Sequence, residues 1–435
     1  MTATAQYLSK AAAAFKSRQG HILAELLLPN LEDLDVERIT KELLPEAVNI
    51  RFTVVKTLSG GDQTRIADLM GTVLHYIRDT ALVDEDTHKA LLVSLRISKI
   101  YDYWVKVLSL CARSATKMFA LPDSGWFNPC VQQLTIQLLE NAIEADEAQK
   151  DNSRDRFVAA ITMVTNGPLK TAAADNKVLD ALHSIAPRPR DIVFWLANLL
   201  LRNSFEVYEW LILVNDSRLL QLRDTLASAE PILGFLAPQM DNLHLFTKAE
   251  QVTFHYFAGS VFLVKEELRP AHDHLRFAFE LCTNRSFTNK RLIFINLVTV
   301  SILLGIFPQS HLLAAFGLSG QFHPLIQAIK LGDRSAFRLH LDNQMEWFRE
   351  RYIYLILRAK GEVLVIRSLL RRAILISRSL WPPDNVGQPP TILLDHLLAA
   401  VRLSYRYSAI GDMDVSTWDH IDMEAMCASL VDQVE

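Results

Sequence analysis

Apolar residues recur at spacings of three and four along most of this 435-residue chain. That period sets one face of an α-helix against a core. It is plain in AQYLSKAAAAFKS, ADLMGTVLHYIRDTALV, HKALLVSLRISKIYDYWVKVLSLCA and FNPCVQQLTIQLLENAIEA. Alternation of the strand type is nearly absent before residue 400, and only fifteen glycines occur. Asp86 lies just upstream of one helical run, and Asn128 is expected to cap another with Pro129 at its first position. Three breaks divide the pattern. DEAQKDNSRD (146–155) is a polar link, Pro187-Arg188-Pro189 a stiff turn, and WPPDNVGQPP a loop ahead of the last unit. Between breaks the helices come in pairs of about 35–40 residues, the size of tetratricopeptide-like hairpins without their strict consensus. The expected fold is an all-α array of antiparallel hairpins.

One stretch tests that expectation. LIFINLVTVSILLGIF (292–307) holds no charge, and the next charged residue is Lys330. A bilayer span needs about 20 predominantly apolar residues. This run is shorter, includes Asn296, Thr299 and Ser301, and meets Pro308 at once. It is expected to be a helix enclosed by protein. IVFWLANLLL (192–201) is a second apolar run, expected in the core or as a partner surface.

Composition is that of an ordinary globular chain: half the residues are apolar, 22% are charged, and the net charge is −4. Such a balance gives no global attraction to nucleic acid or anionic lipid, so any basic surface must be local. Cys111, Cys130, Cys282 and Cys427 lack CxxC spacing and fit free, mostly buried thiols of a reducing compartment. The amino-terminal twenty residues lack the apolar core of a signal peptide.

Motifs that could carry chemistry do not close into sites. LSGGDQ (58–63) is close to the signature loop of transport ATPases, but no GxxxxGK[ST] accompanies it. His272-Asp273-His274 are consecutive, and on a helix consecutive side chains diverge. HExxH and GxSxG are absent, and no nucleophile–base pair stands out. No catalytic residue, cofactor or metal is expected, and the chain reads as a non-enzyme.

Charge concentrates late. From Lys330 to Arg378 eleven basic residues stand against five acidic ones. In GEVLVIRSLLRRAILISRS, Arg367, Arg371 and Arg378 fall within about 40° of one another on a helix. The rest of that helix is mainly Leu, Ile and Val, so a narrow arginine stripe on an otherwise buried helix is expected. Arginine suits phosphate because its planar fork donates in pairs; contact with a protein partner and plain solvation stay open. The final 25 residues, GDMDVSTWDHIDMEAMCASLVDQVE, carry seven acidic and no basic residues. Phosphates would repel a helix of that sign, so any nucleic-acid binding should be backbone-directed and salt-sensitive.

Residues 245–434 carry a resemblance. Tyr256-Phe257-Ala258-Gly259, Ala271, Leu275, Ala278-Phe279-Glu280, Cys282, Asn289-Lys290-Arg291 and Leu303-Leu304-Gly305 before Pro308 resemble the helical repeats of PCI-domain proteins. These are scaffold subunits of the proteasome lid, the signalosome and a translation initiation factor. LILRAKGEVLVIRSLLRRAILIS looks like the helix pair opening the family's winged-helix half, and TILLDHLLAAVRLS and DMDVSTWDHIDMEAMCASLVDQ like its next two helices. Trp126, Pro129 and Ala145-Asp146 resemble a feature of the branch that holds the PCI subunit of the TREX-2 transcription-export complex and its signalosome-associated relative.

The resemblance implies an amino-terminal helical region (1–150), tetratricopeptide-like repeats (151–330) and the winged-helix half of a PCI domain (331–435). The family's wing strands would begin where the sequence stops, at Val434-Glu435, so the wing is expected to be missing. It further implies a scaffold of a nuclear messenger-RNA export complex at the nuclear pore, paired with a large PCI-like subunit and a small acidic, largely disordered one. RNA or DNA phosphates would be met by Arg349, Arg351, Arg358, Lys360, Arg367, Arg371, Arg372 and Arg378, more weakly by Arg402 and Arg406. Lys290, Arg291, Arg334 and Arg338 would meet the acidic partner. The alternative is a structural subunit of a signalosome or proteasome-lid type complex that does not bind nucleic acid.

Overall fold

The computed structural model describes residues 2–30, 33–45, 49–58, 64–85, 99–108, 124–148, 154–174, 189–214, 229–380 and 394–405. Every regular element among them is helical, as the periodicity requires. The chain divides into two compact units, Met1–Phe257 and Ala258–Glu435.

In the first unit, Ala3–Lys16, Gly20–Leu27, Leu34–Leu43, Ile50–Thr57 and Thr64–Glu85 pack around Leu8, Leu23, Leu27 and Ile39. The first helix is held at its start by a distant carboxylate. Glu42 accepts the backbone N–H of Ala3 (2.7 Å) and Thr4 (2.9 Å) and the hydroxyl of Thr4 (2.8 Å). These donors have no partner within the helix, and an acidic group there also suits the helix dipole.

Asn128–Ala148 and Asp155–Val164 form the next hairpin. Asn128 does not stand ahead of its helix as the expected cap. It is the buried first residue of its helix, which continues from a short 3₁₀ turn at Ser124–Phe127. The polar stretch beginning at residue 146 is likewise not all linker, because the helix runs through Asp146 to Ala148. Asp146 is buried and accepts the N–H groups of Arg156 (3.2 Å) and Phe157 (2.9 Å), so it caps the second helix of the hairpin. Burial raises its pKa, and those two hydrogen bonds work against the rise. Cys130 is fully buried with its thiol toward the Gly20 carbonyl at 3.2 Å, and burial pushes that thiol up. In Val193–Val214 the residues Val193, Phe194, Leu196, Ala197, Leu200 and Leu201 are core. The apolar run 192–201 is thus an interior one.

The second unit opens in the helix Lys248–Val264 and continues in the hairpin Leu268–Leu281 and Phe287–Leu303. Gly259 allows the close approach there: a Cβ on it would lie 2.7 Å from Leu275 Cγ and 3.2 Å from the Ala271 carbonyl. Phe287–Leu303 buries Ile293, Phe294, Ile295 and the whole run Val298–Leu303. The uncharged stretch 292–307 is not one helix, however. The helix stops at Leu303, Gly305 turns left-handed (φ +78°), and Ile306 donates back to the Ser301 carbonyl at 2.7 Å. No helix among the described residues is long and apolar enough to cross a membrane.

Ser319–Leu331 and Arg334–Asn343 pair next, joined at Gly332. Gly332 is left-handed (φ +73°), and a Cβ there would sit 2.6 Å from the Leu369 Cα. Asp333 then caps the following helix by accepting the Ala336 N–H at 2.9 Å. A π-helical turn, Leu357–Gly361, leads into the long helix Glu362–Leu380. Leu394–Tyr405 packs on that helix through Leu397 and Val401, which meet Leu369, Leu370 and Ala373. Ser404 locks the pair. Its hydroxyl donates to the Gly332 carbonyl (2.9 Å) and accepts the Arg334 N–H (3.1 Å), and its own carbonyl accepts the Ser335 hydroxyl (2.9 Å).

Candidate interaction surface

The basic residues between Lys330 and Arg378 do not form one continuous surface. Several are engaged inside the second unit. Glu362, whose side chain is 17% exposed, takes Arg334 Nε on one oxygen and Arg338 Nη2 on both, at 2.9 Å. Arg334 and Arg338 therefore bind the helix Arg334–Asn343 to the start of Glu362–Leu380. Lys360 pairs with Glu266 at 3.0 Å.

Arg351 donates to the Trp347 carbonyl (2.7 Å) and to Glu350 (3.0 Å), with its guanidinium 4.1 Å from the Trp347 ring centre. Arg358 donates to the Tyr354 hydroxyl at 3.1 Å, which itself donates to Asp342 at 2.8 Å. Burial, then Asp342, raises the Tyr354 pKa. Arg349 is half-buried at the end of the short helix Met345–Arg349.

Lys290 and Arg291 are likewise engaged. Lys290 Nζ donates to the Cys282 carbonyl (2.8 Å) and Asn284 Oδ1 (3.0 Å), and lies 5.0 Å from the Phe279 ring centre. Arg291 Nε donates to the Phe316 carbonyl at 2.9 Å. The two cations brace a cluster of Phe279, Phe287, Phe294 and Phe316.

Three of the expected phosphate contacts stand apart. Arg367, Arg371 and Arg372 are exposed on Glu362–Leu380 and make no ion pair among the described residues. Their face is wider than the narrow stripe the sequence suggested. Leu375 is 57% and Ile376 55% exposed, so the second half of the helix shows apolar and cationic residues side by side. Leu369, Leu370 and Ala373 meet Leu397 and Val401 of Leu394–Tyr405, and Val365 is fully buried, while Leu375 and Ile376 stand on the exposed side. The side chains of Arg378 and Arg402, and the whole of Arg406, lie outside the described residues, as does most of LSGGDQ.

Local spacing does not mark Glu362, Glu266 or Asp342 as partners, nor Leu375 and Ile376 as surface. Arg338 and Glu362 are 24 residues apart, and no local spacing signals such a pair. His272 and Asp273 approach at 3.7 Å while His274 stacks on Phe262, and no three His, Cys, Asp or Glu side chains gather for a metal among the described residues.

No family model matches the chain. Individual relatives do. A PCI domain-containing protein of Schizosaccharomyces pombe is 29% identical over 324 residues, which is 73% of this chain and 67% of that protein. The protein named CSN12 homolog in Neurospora crassa is 27% identical over 384 residues, 82% of this chain and 80% of its own. A PCI domain-containing protein 2 homolog of Dictyostelium discoideum is 32% identical over 141 residues, 32% of each chain. The first and third of these relatives are PCI domain-containing proteins by name, and the all-α helical architecture of this chain is consistent with that fold.

Proposed function

We propose that this chain is a non-catalytic structural subunit of a signalosome-type assembly built from PCI proteins. The observation that carries the reading is the likeness to the Neurospora CSN12 homolog, which runs over 82% of this chain and 80% of that protein. PCI-domain proteins are generally scaffold subunits that assemble with other PCI-like subunits. The described residues fit such a role: paired helices, a large apolar core, and cations spent on holding helices together. Purification of the tagged protein from its own cells, with mass spectrometry of stoichiometric partners, tests it. Recovery of signalosome-type subunits supports the reading, and recovery of the protein with no PCI-like partner overturns it.

A second reading is favoured by Arg367, Arg371 and Arg372. In it the subunit belongs to a nuclear messenger-RNA export complex of the TREX-2 kind, with a large PCI-like partner and a small acidic one. The three arginines would neutralise phosphates of RNA or DNA without reading bases. Reversal of all three to Glu should then weaken RNA binding by the assembled complex and flatten its salt dependence. RNA binding that is absent, or unchanged by the reversal, removes this reading and leaves the protein-only scaffold in place.

A further inference from the structure

The helix Ile50–Thr57 has two opposed faces. Ile50 and Val54, each 2% exposed, are enclosed by the first unit, and Asn49 caps the helix by accepting the Phe52 N–H at 3.0 Å. The opposite face is all surface. Arg51, Phe52, Val55 and Lys56 are exposed there, Phe52 by 65% and Val55 by 56%. At about 100° per residue, the order around the helix is Arg51, Val55, Phe52, Lys56. Two hydrocarbon side chains thus lie side by side with a cation on each flank.

No carboxylate answers those cations. Arg51 and Lys56 make no ion pair among the described residues, and Asp68 on the packed helix Thr64–Glu85 pairs with neither. Ala3–Lys16, which also packs on Ile50–Thr57, adds the exposed Lys10 and Lys16 and holds no Asp or Glu. The surface is positive on both sides of an apolar centre, and its complement is apolar with negative flanks. RNA phosphates would satisfy the cations and a base could stack on Phe52, but Val55 would stay in water. An anionic membrane fits poorly. Phe52 and Val55 bring less hydrocarbon than one myristoyl chain, which by itself holds a bilayer only marginally. Two copies meeting through this same face would set cation against cation.

We infer that the face formed by Arg51, Phe52, Val55 and Lys56 receives an acidic amphipathic helix of a partner protein. Apolar side chains of that helix cover Phe52 and Val55, and carboxylates on its two flanks pair with Arg51 and Lys56. Ile50–Thr57 is about 12 Å long, which matches about two turns of a facing helix. The inference concerns the first unit and does not rest on which PCI assembly holds the subunit.

The test titrates the full chain against a fluorescein-labelled synthetic helix with Leu along one face and Glu on both flanks, read by anisotropy. Saturable binding is expected, and the same peptide with Lys for every Glu should not bind. Phe52→Ala should weaken binding about tenfold. Arg51→Glu with Lys56→Glu should abolish it and transfer binding to the Lys peptide. Lys248→Glu with Arg269→Glu makes the same change in net charge at exposed positions elsewhere and should leave the titration unchanged. Every substituted side chain is exposed, and helical circular dichroism checks the fold. A photo-crosslinking benzoylphenylalanine in place of Phe52 then reads the natural partner in the cell of origin. The crosslinked peptide, identified by mass spectrometry, should carry Asp or Glu on both sides of apolar residues. The crosslink should vanish when Arg51 and Lys56 are reversed. No binding of the acidic peptide, equal binding of both peptides, or equal loss in the two charge reversals would overturn the inference. So would the absence of a crosslink, or crosslinks only to RNA, lipid or peptides without carboxylates.

Discussion

Glu362 holds Arg338 Nη2 on both carboxylate oxygens, each at 2.9 Å, and takes Arg334 Nε on one of them. The carboxylate is largely enclosed and Arg334 is only 13% exposed, whereas Arg338 is 45% exposed. Removing the shared acceptor leaves an enclosed guanidinium without its counter-charge. Glu362→Gln should therefore destabilise the second unit by about 2 kcal/mol, short of the cost of breaking a fully buried pair. Arg338→Met should cost less than about 1 kcal/mol, since its pairing is screened by water. Urea denaturation of the two variants measures the difference, and equal losses would show that the asymmetry in exposure is irrelevant.

Gly332→Ala combines two penalties: a left-handed backbone and a Cβ 2.6 Å from Leu369 Cα. The neighbour is backbone and has little room to shift. A loss of about 2–4 kcal/mol is expected, with the strain of a non-glycine at positive φ and the overpacking adding. Hydrogen exchange should show Leu394–Tyr405 opening first, because the Ser404 bonds depend on the position of Gly332.

Asp146→Ala removes the acceptor for the Arg156 and Phe157 N–H groups. A lost cap costs about 1–2 kcal/mol. Asp146→Asn retains one carbonyl acceptor and should recover about half, read as a shift in the thermal midpoint of the first unit.

Burial lowers the pKa of His274, with the nearby Asp273 carboxylate opposing the shift. The folded state thus resists a proton that the unfolded state accepts. Above the ordinary imidazole value of about 6.5 both states are neutral and the difference vanishes. Stability is lost as pH falls below that value toward the folded pKa. His274→Phe, which retains a ring against Phe262, should reduce the drop in urea midpoint between pH 7.5 and 5.5. An unchanged drop would assign the pH dependence to other groups.

What the sequence disclosed depended on whether the cause was local. The 3–4 periodicity and the enclosure of Val298–Leu303 follow from neighbours along one helix, and both are seen in the structure. The PCI likeness at Gly259, Ala271 and Leu275 has a physical counterpart, since those residues are where two helices come within backbone distance. The candidate surface was less legible. A count of arginines does not show that Arg334, Arg338 and Lys360 are spent on Glu362 and Glu266, whose proximity is created only by folding. Nor did the apolar content of 362–380 reveal Leu375 and Ile376 as surface, because burial depends on what packs opposite. Asp146 misled for the same reason: a carboxylate in a polar stretch reads as linker until the helix it caps is beside it.

The π-helical turn at Leu357–Gly361 acts as a phase setter. Such a turn accommodates one residue more than an α-helical turn, and one residue is worth about 100° of rotation. Everything after it, from Glu362 to Leu380, is aimed by that offset. Were the same residues wound as a regular α-helix, with none removed, every face after the turn would rotate by more than a quarter of a revolution. Leu369 and Ala373 would swing out of the core, and the carboxylate of Glu362 would leave both arginines. The basic face thus owes its direction to an irregularity one residue long, set before the first of its arginines.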